Sequence, residues 1–116
     1  MARHQHLRIY DLARQNLREV ATITQDMAGF GDLVNQMRRA AVSVVSNICE
    51  GASSGQDRQF VRYLGIARAS VHELQGQLAI ASDLGQMDAE HPIHDRCDHL
   101  GRSISRLIAH LAGPGS

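Results

Sequence analysis

The chain has 116 residues, of which 43% are hydrophobic but only 3% aromatic with no Trp, and its 12 Arg are balanced by 12 Asp and Glu. That length fits one domain over 1–116 with a real core, and the aliphatic composition suits helix-on-helix packing better than a sandwich. A net charge of zero argues against a single chain held to nucleic acid by charge, since such affinity comes largely from phosphate neutralisation, and no apolar run approaches the ~20 residues that cross a membrane.

The only prolines are Pro92 and Pro114, which favours long helices before residue 92. The first helix is expected over about 7–27, with Ile9, Leu12, Ala13, Leu17, Val20, Ile23 and Met27 on its apolar side and Gly29 as a left-handed stop. The second, about 32–51, starts with Asp32 as its cap and ends near Gly51. Ser53 and Gln56 have the spacing of a capping box for the third helix, about 56–84. Its seam is the clearest periodic signal in the chain. Phe60, Leu64, Ala67, Val71, Leu74, Leu78 and Ala81 step by fours and threes, the pattern of near-parallel helix packing, and Gly85 ends it. The fourth helix, about 91–112, begins around Pro92 and carries Ile93, Cys97, Leu100, Ile104, Leu107 and Leu111, with Gly113-Pro114 as its stop. Four amphipathic helices joined by short loops predict an all-α, antiparallel up-down-up-down four-helix bundle. A third helix of about 28 residues, on the order of 40 Å, makes that bundle elongated.

The apolar faces are wider than one bundle needs. On the second helix Leu33, Met37, Ala40, Val44 and Ile48 form one stripe, and Val34, Ala41, Val45, Cys49 and Ala52 a second with Arg38 at its edge. Together they cover about half the circumference, against the ~100° of a surface helix. On the third helix Ile66, Ile80 and Leu84 leave the main seam, alongside Arg62 and Glu73. Either every helix buries a wide face, or a second face meets another copy of the chain.

Several polar residues are candidates for function. Arg39, Ser43, Ser46 or Asn47, and Glu50 form a line opposite the apolar face of the second helix, either a solvated face or an inter-subunit network or ligand surface. Glu73 lies on the secondary stripe of the third helix, where a lone carboxylate is costly to bury, so an Arg partner, Arg38 or Arg39, is expected. His91, His94 and His99 cluster with Asp95, Cys97 and Asp98. Asp95 and His99 are one turn apart, yet two ligands do not close a metal site, so no metal is expected there. Cys49 and Cys97 lack CxxC spacing and read as packing residues of a reduced, cytoplasmic protein. No phosphate-binding loop and no nucleophile, base and orienter set is legible. Neither catalysis, a cofactor, a small-molecule substrate nor a membrane partner is expected.

The stretch Asn35-Gln36-Met37-Arg38-Arg39-Ala40-Ala41-Val42-Ser43-Val44-Val45-Ser46-Asn47-Ile48-Cys49-Glu50-Gly51 resembles the signature of the four-helix bundle proteins encoded by 23S ribosomal RNA intervening sequences. Phe60 to Ala67 and Ser70 to Leu78 are similar to that family's third helix. The resemblance runs from the Tyr10 region to Gly85, while the fourth helix matches only as a generic amphipathic segment. Val45 stands where the family usually has proline, and Tyr10 where it usually has Trp. The resemblance implies a bacterial cytosolic bundle that assembles as a homo-oligomeric ring of five, and a kinship with accessory proteins of diversity-generating retroelements, which bind nucleic acid. It implies no established biochemical activity.

Three functional readings stand beside one another, the third against the expectation of no metal. The first is a non-enzymatic oligomeric interaction or scaffold protein, with Arg38, Arg39, Ser43, Asn47, Glu50 and Glu73 in an interface or polar network. The second is an RNA- or DNA-binding accessory protein using Arg38, Arg39, Arg58, Arg62 and Arg68 repeated around a ring. The third, with least behind it, is metal-assisted chemistry at His94, Asp98 and His99.

Overall fold

Hydrophobic stripes repeating every three to four residues require helices that bury one side, and the computed structural model shows four of them among the residues it describes, 2–113 (side chains from 4 onward). They are α1 (Ala2–Thr24), α2 (Gly31–Ser53), α3 (Asp57–Asp83) and α4 (Ile93–Ala112). The result is an all-α bundle measuring 46 × 22 × 21 Å. Each helix packs on two neighbours, α1 and α3 both lying against α2 and α4. One end of α1 also reaches α3, where the His6 and Phe60 rings meet edge-on at 5.7 Å.

The core is built from the expected seams. Leu64, Ala67, Val71, Leu74, Leu78 and Ala81 of α3 are buried, as are Ile93, Cys97, Leu100, Ile104 and Leu107 of α4. Helix α2 contributes Met37, Ala40, Ala41, Val44 and Ile48, and α1 contributes Ile9, Ala13 and Val20. Phe60, Leu12, Leu17, Ile23 and Leu111 pack on this core from half-buried positions. Polar pairs show which residues share a level. Thr24 meets Arg38 at 2.9 Å, Ser43 meets Ser70 at 2.8 Å, Arg68 meets Ser105 at 3.2 Å and Ser82 meets His94 at 3.3 Å. Asn16 reaches Cys97, and Glu19 forms an ion pair with Arg96.

Helix ends differ from the sequence expectation. Helix α1 stops at Thr24 rather than near Met27. The Thr24 hydroxyl turns back onto the carbonyls of Val20 and Ala21, and Met27, in the following turn, plugs the core at 2% exposure. Asp32 lies in the first turn of α2 without capping it; Phe30 holds the cap position and makes no side-chain bond there. The capping box of Ser53 with Gln56 does not form. Ser53 is the last residue of α2, and its hydroxyl is used by the carbonyls of Cys49 and Glu50. A Ser hydroxyl near a helix C-terminus has unpaired carbonyls within one turn, closer than the next helix start. At the end of α3, Gly85 takes φ 71°. Its N–H donates to Ser82 and that of Gln86 to Ala81, the paired bonds of a Schellman motif. Gly113 closes α4 at φ 74°; Pro114, expected to share that role, lies outside the described residues.

Candidate interaction surfaces

Helix α2 turns toward α3 a face of small side chains, and the polar line expected there divides according to its distance from that contact. Ser43 and Asn47 are half-buried between the helices. Asn47 donates through Nδ2 to the Ser43 carbonyl at 2.8 Å and to the Ser43 hydroxyl at 3.1 Å, and that hydroxyl meets Ser70 of α3 at 2.8 Å. Arg39, Ser46 and Glu50 stay exposed. Ser70, which the sequence reading passed over, is therefore the α3 half of this contact; its only signal was a small hydroxyl at the edge of the α3 seam. The same face contains Gly51, buried inside α2 rather than ending it. A Cβ built there would lie 2.8 Å from Phe60 Cδ1 and 2.9 Å from Tyr63 Cβ, so the missing side chain sets how closely α2 and α3 approach.

Glu73 pairs with no arginine among the described residues. It is exposed, and its carboxylate accepts from Gln77 Nε2 at 3.3 Å. Arg38 turns the other way, donating through Nε to Thr24 of α1 at 2.9 Å, and Arg39 lies on the outer face of α2. Within one chain Arg38 is not that partner, because the α3 stripe carrying Glu73 and the edge of α2 carrying Arg38 border different neighbours. Gln77 itself is 6% exposed, and its Oε1 has no partner among the described residues.

The five arginines considered for nucleic acid do not converge on one patch. Arg58 and Arg62 are exposed one turn apart at the start of α3, with the Arg62 guanidinium 5.8 Å from the Tyr63 ring centre. Arg68 is half-buried and donates to Ser105 of α4, while Arg38 is turned toward α1.

The histidine cluster is dispersed. His91 precedes α4 and accepts the Ile93 N–H on Nδ1 at 3.0 Å. His94 pairs with Ser82, and His99 accepts from Arg8 at 3.3 Å. Asp98 pairs with Arg102, and Cys97 is buried with Asn16 donating to its sulfur at 3.7 Å. Among the described residues no group of three His, Cys, Asp or Glu side chains is placed to hold a metal ion.

Large aliphatic side chains are also left on the surface. Leu7 is 46% exposed, Val42 48%, Ile66 41%, Ile80 50% and Leu84 48%. Ile66, Ile80 and Leu84 share the outer side of α3. Leu7 lies with Tyr10, Cys49 and Ala52 around a shallow hollow of about 360 Å³ between α1 and α2. Burying a Val, Leu or Ile side chain completely contributes roughly 1.5–3 kcal/mol, so these positions forgo stability that a second surface would supply. No helix among the described residues is long and apolar enough to cross a membrane.

A family model described as 23S rRNA-intervening sequence protein matches residues 5–106. The crystal structure of a protein with unknown function from the S23 ribosomal protein family of Bacteroides thetaiotaomicron superposes with a TM-score of 0.81 at 15% sequence identity, covering 90% of this chain and 97% of that one. At that identity the likeness concerns the fold. No curated protein matches the chain.

Proposed function

The chain belongs to the 23S rRNA-intervening sequence protein family, and from that footing we propose that it acts without catalysis, as an oligomeric interaction or scaffold protein. The observation that carries the reading is the set of large aliphatic side chains left outside the core on α1, α2 and α3. Patches of this kind mark association surfaces more often than they serve a monomer. The cross-helix pairs support an antiparallel, up-down-up-down order within each copy. Thr24 meets Arg38 across the first loop, and residues 68 and 82 of α3 meet residues 105 and 94 of α4. The assembly is read as a homo-oligomeric ring in the cytoplasm, and the resemblance of the second and third helices to their family implies five copies. Sedimentation of the full chain at micromolar concentration tests the reading. A mass several times that of one chain is expected, and a strict monomer overturns it.

A second reading, an RNA- or DNA-binding accessory protein, is favoured by Arg58 and Arg62, exposed one turn apart at one end of the bundle. Copies arranged around an axis bring such pairs together and concentrate charge that a neutral chain lacks. Binding of the assembled form to structured RNA or duplex DNA is then expected to weaken with added salt and on replacing both arginines with Ala. Absence of binding at low and high salt alike removes this reading.

A further inference from the structure

Two of the unpartnered surfaces differ in shape. On α3, Ile66, Ala69, Glu73, Gly76 and Ile80 step by threes and fours, and all five are exposed, so the helix carries a second seam as a ridge turned away from its own core. On α1, Leu7, Tyr10, Arg14 and Leu17 follow the same step along the side facing α2. Across from them run Val42, Val45 and Cys49 of α2, and Leu7, Tyr10 and Cys49 line one hollow. The crease between α1 and α2 thus opens into a shallow hollow at its Leu7 and Tyr10 end, and it is this crease that serves as a groove.

Resting on the self-association proposed above, we infer that the α3 seam of one copy seats in the α1/α2 groove of the next, a head-to-tail contact in which Glu73 meets Arg14. A helix whose side chains advance by threes and fours fills a groove between two near-parallel helices by ridges-into-grooves packing. The charges agree with it. Glu73 is the middle residue of the seam and Arg14 stands midway along the α1 side of the groove, so centred docking in either direction brings them together. The Arg14 guanidinium lies 5.5 Å from the centre of the Tyr10 ring, which holds it at the groove. Within its own chain Glu73 has the Gln77 amide as partner, leaving its charge unmatched.

Gly76 points the same way. A Cβ at Gly51 or Gly101 would meet neighbouring helices of the same chain, but one at Gly76, like one at Gly65 off the seam, meets nothing within 4 Å. Glycine weakens a helix interior, and the isolated fold supplies no compensation for it at this position. A second helix lying against the seam does. Because ridge and groove are different surfaces, each copy keeps one of each free after pairing, and such heterologous contacts close into a ring when the rotation permits.

The test uses the full chain and its own cysteines. Cys49 is exposed while Cys97 is buried, and Cys49 sits beside Tyr10, one turn from Arg14. A centred α3 then places Ala69 or Gly76, each about one turn from Glu73, against Cys49 of the next copy. Mild oxidation of Ala69→Cys and Gly76→Cys chains is expected to link the new cysteine to Cys49 of another copy in one of the two variants, identified by peptide mass mapping. Glu73→Arg is expected to weaken assembly at least tenfold, and adding Arg14→Glu to restore it. Disulfides only between like positions, no cross-link in either variant while the chain stays assembled, or unchanged assembly of Glu73→Arg overturns the head-to-tail contact and leaves self-association standing. A monomer by sedimentation of the unmodified chain overturns both.

Discussion

Cys97 and Cys49 illustrate how one residue type is given two chemistries by position. Cys97 sits in the buried seam of α4, where removal from water pushes its thiol up from 9.0 to about 12. In the unfolded chain the same thiol ionises above pH 9.0. Between pH 9.0 and about 12 the unfolded state therefore holds fewer protons than the folded one, and the contribution present below pH 9.0 is lost as the pH rises. The loss approaches about 1.4 kcal/mol per pH unit from this group. Comparing denaturant midpoints of the unmodified chain and Cys97→Ala at pH 8 and pH 10 isolates the effect. The unmodified chain is expected to lose more stability over that interval, and equal losses would show that the thiol does not contribute. In the native protein an alkylating reagent is expected to leave Cys97, buried in the single chain, unmodified until the protein unfolds. The seam of α4 made the burial of Cys97 legible in advance. Its neighbour Asn16, 3% exposed, was not legible, because a polar residue inside an apolar stripe declares itself only when a partner is seen across the core.

At the scale of elements, α2 and α3 are fitted together by what α2 lacks. Gly51 lies against Phe60 and Tyr63, and the obstacles to a Cβ include Tyr63 Cβ and the Phe60 backbone, neither of which can swing aside. Gly51→Ala improves intrinsic helix propensity by up to about 1 kcal/mol, yet it forces the helices apart, and overpacking of this kind costs roughly 1–3 kcal/mol. A net destabilisation is expected in urea unfolding, with the m-value unchanged. A stabilised variant would mean that the contact is looser than its distances state. The four-and-three step of the α3 seam and the glycines at 29, 85 and 113 were enough to place helices and loops. The caps were not readable in the same way. Asp32, Ser53 and Gln56 have the right chemistry for capping, but a short polar side chain chooses among several backbone groups within reach, and that choice follows from the path of the loop. Gly51 was read as a stop for the same reason, since an absent side chain looks alike at a helix end and at a close crossing.

For the molecule as a whole, the length of α3 dictates the elongated shape, 46 Å against 22 and 21 Å. A bundle so narrow cannot enclose apolar faces that span half of a helix circumference. The exposed aliphatics on α1, α2 and α3 are the outcome, and the proposed ridge-and-groove contact is how further copies cover them. By itself the sequence determined the all-α class, the helical seams and the excess of apolar surface, because these depend on composition and on a local repeat. Only the tertiary structure decided that Ser43 and Asn47 serve the α2/α3 contact, that Arg38 turns to Thr24, that Glu73 pairs with no arginine among the described residues of its own chain, and that the histidines are dispersed. Those outcomes depend on the angle at which each helix face meets its neighbour, a quantity fixed by packing across the core and carried by no single segment of the chain.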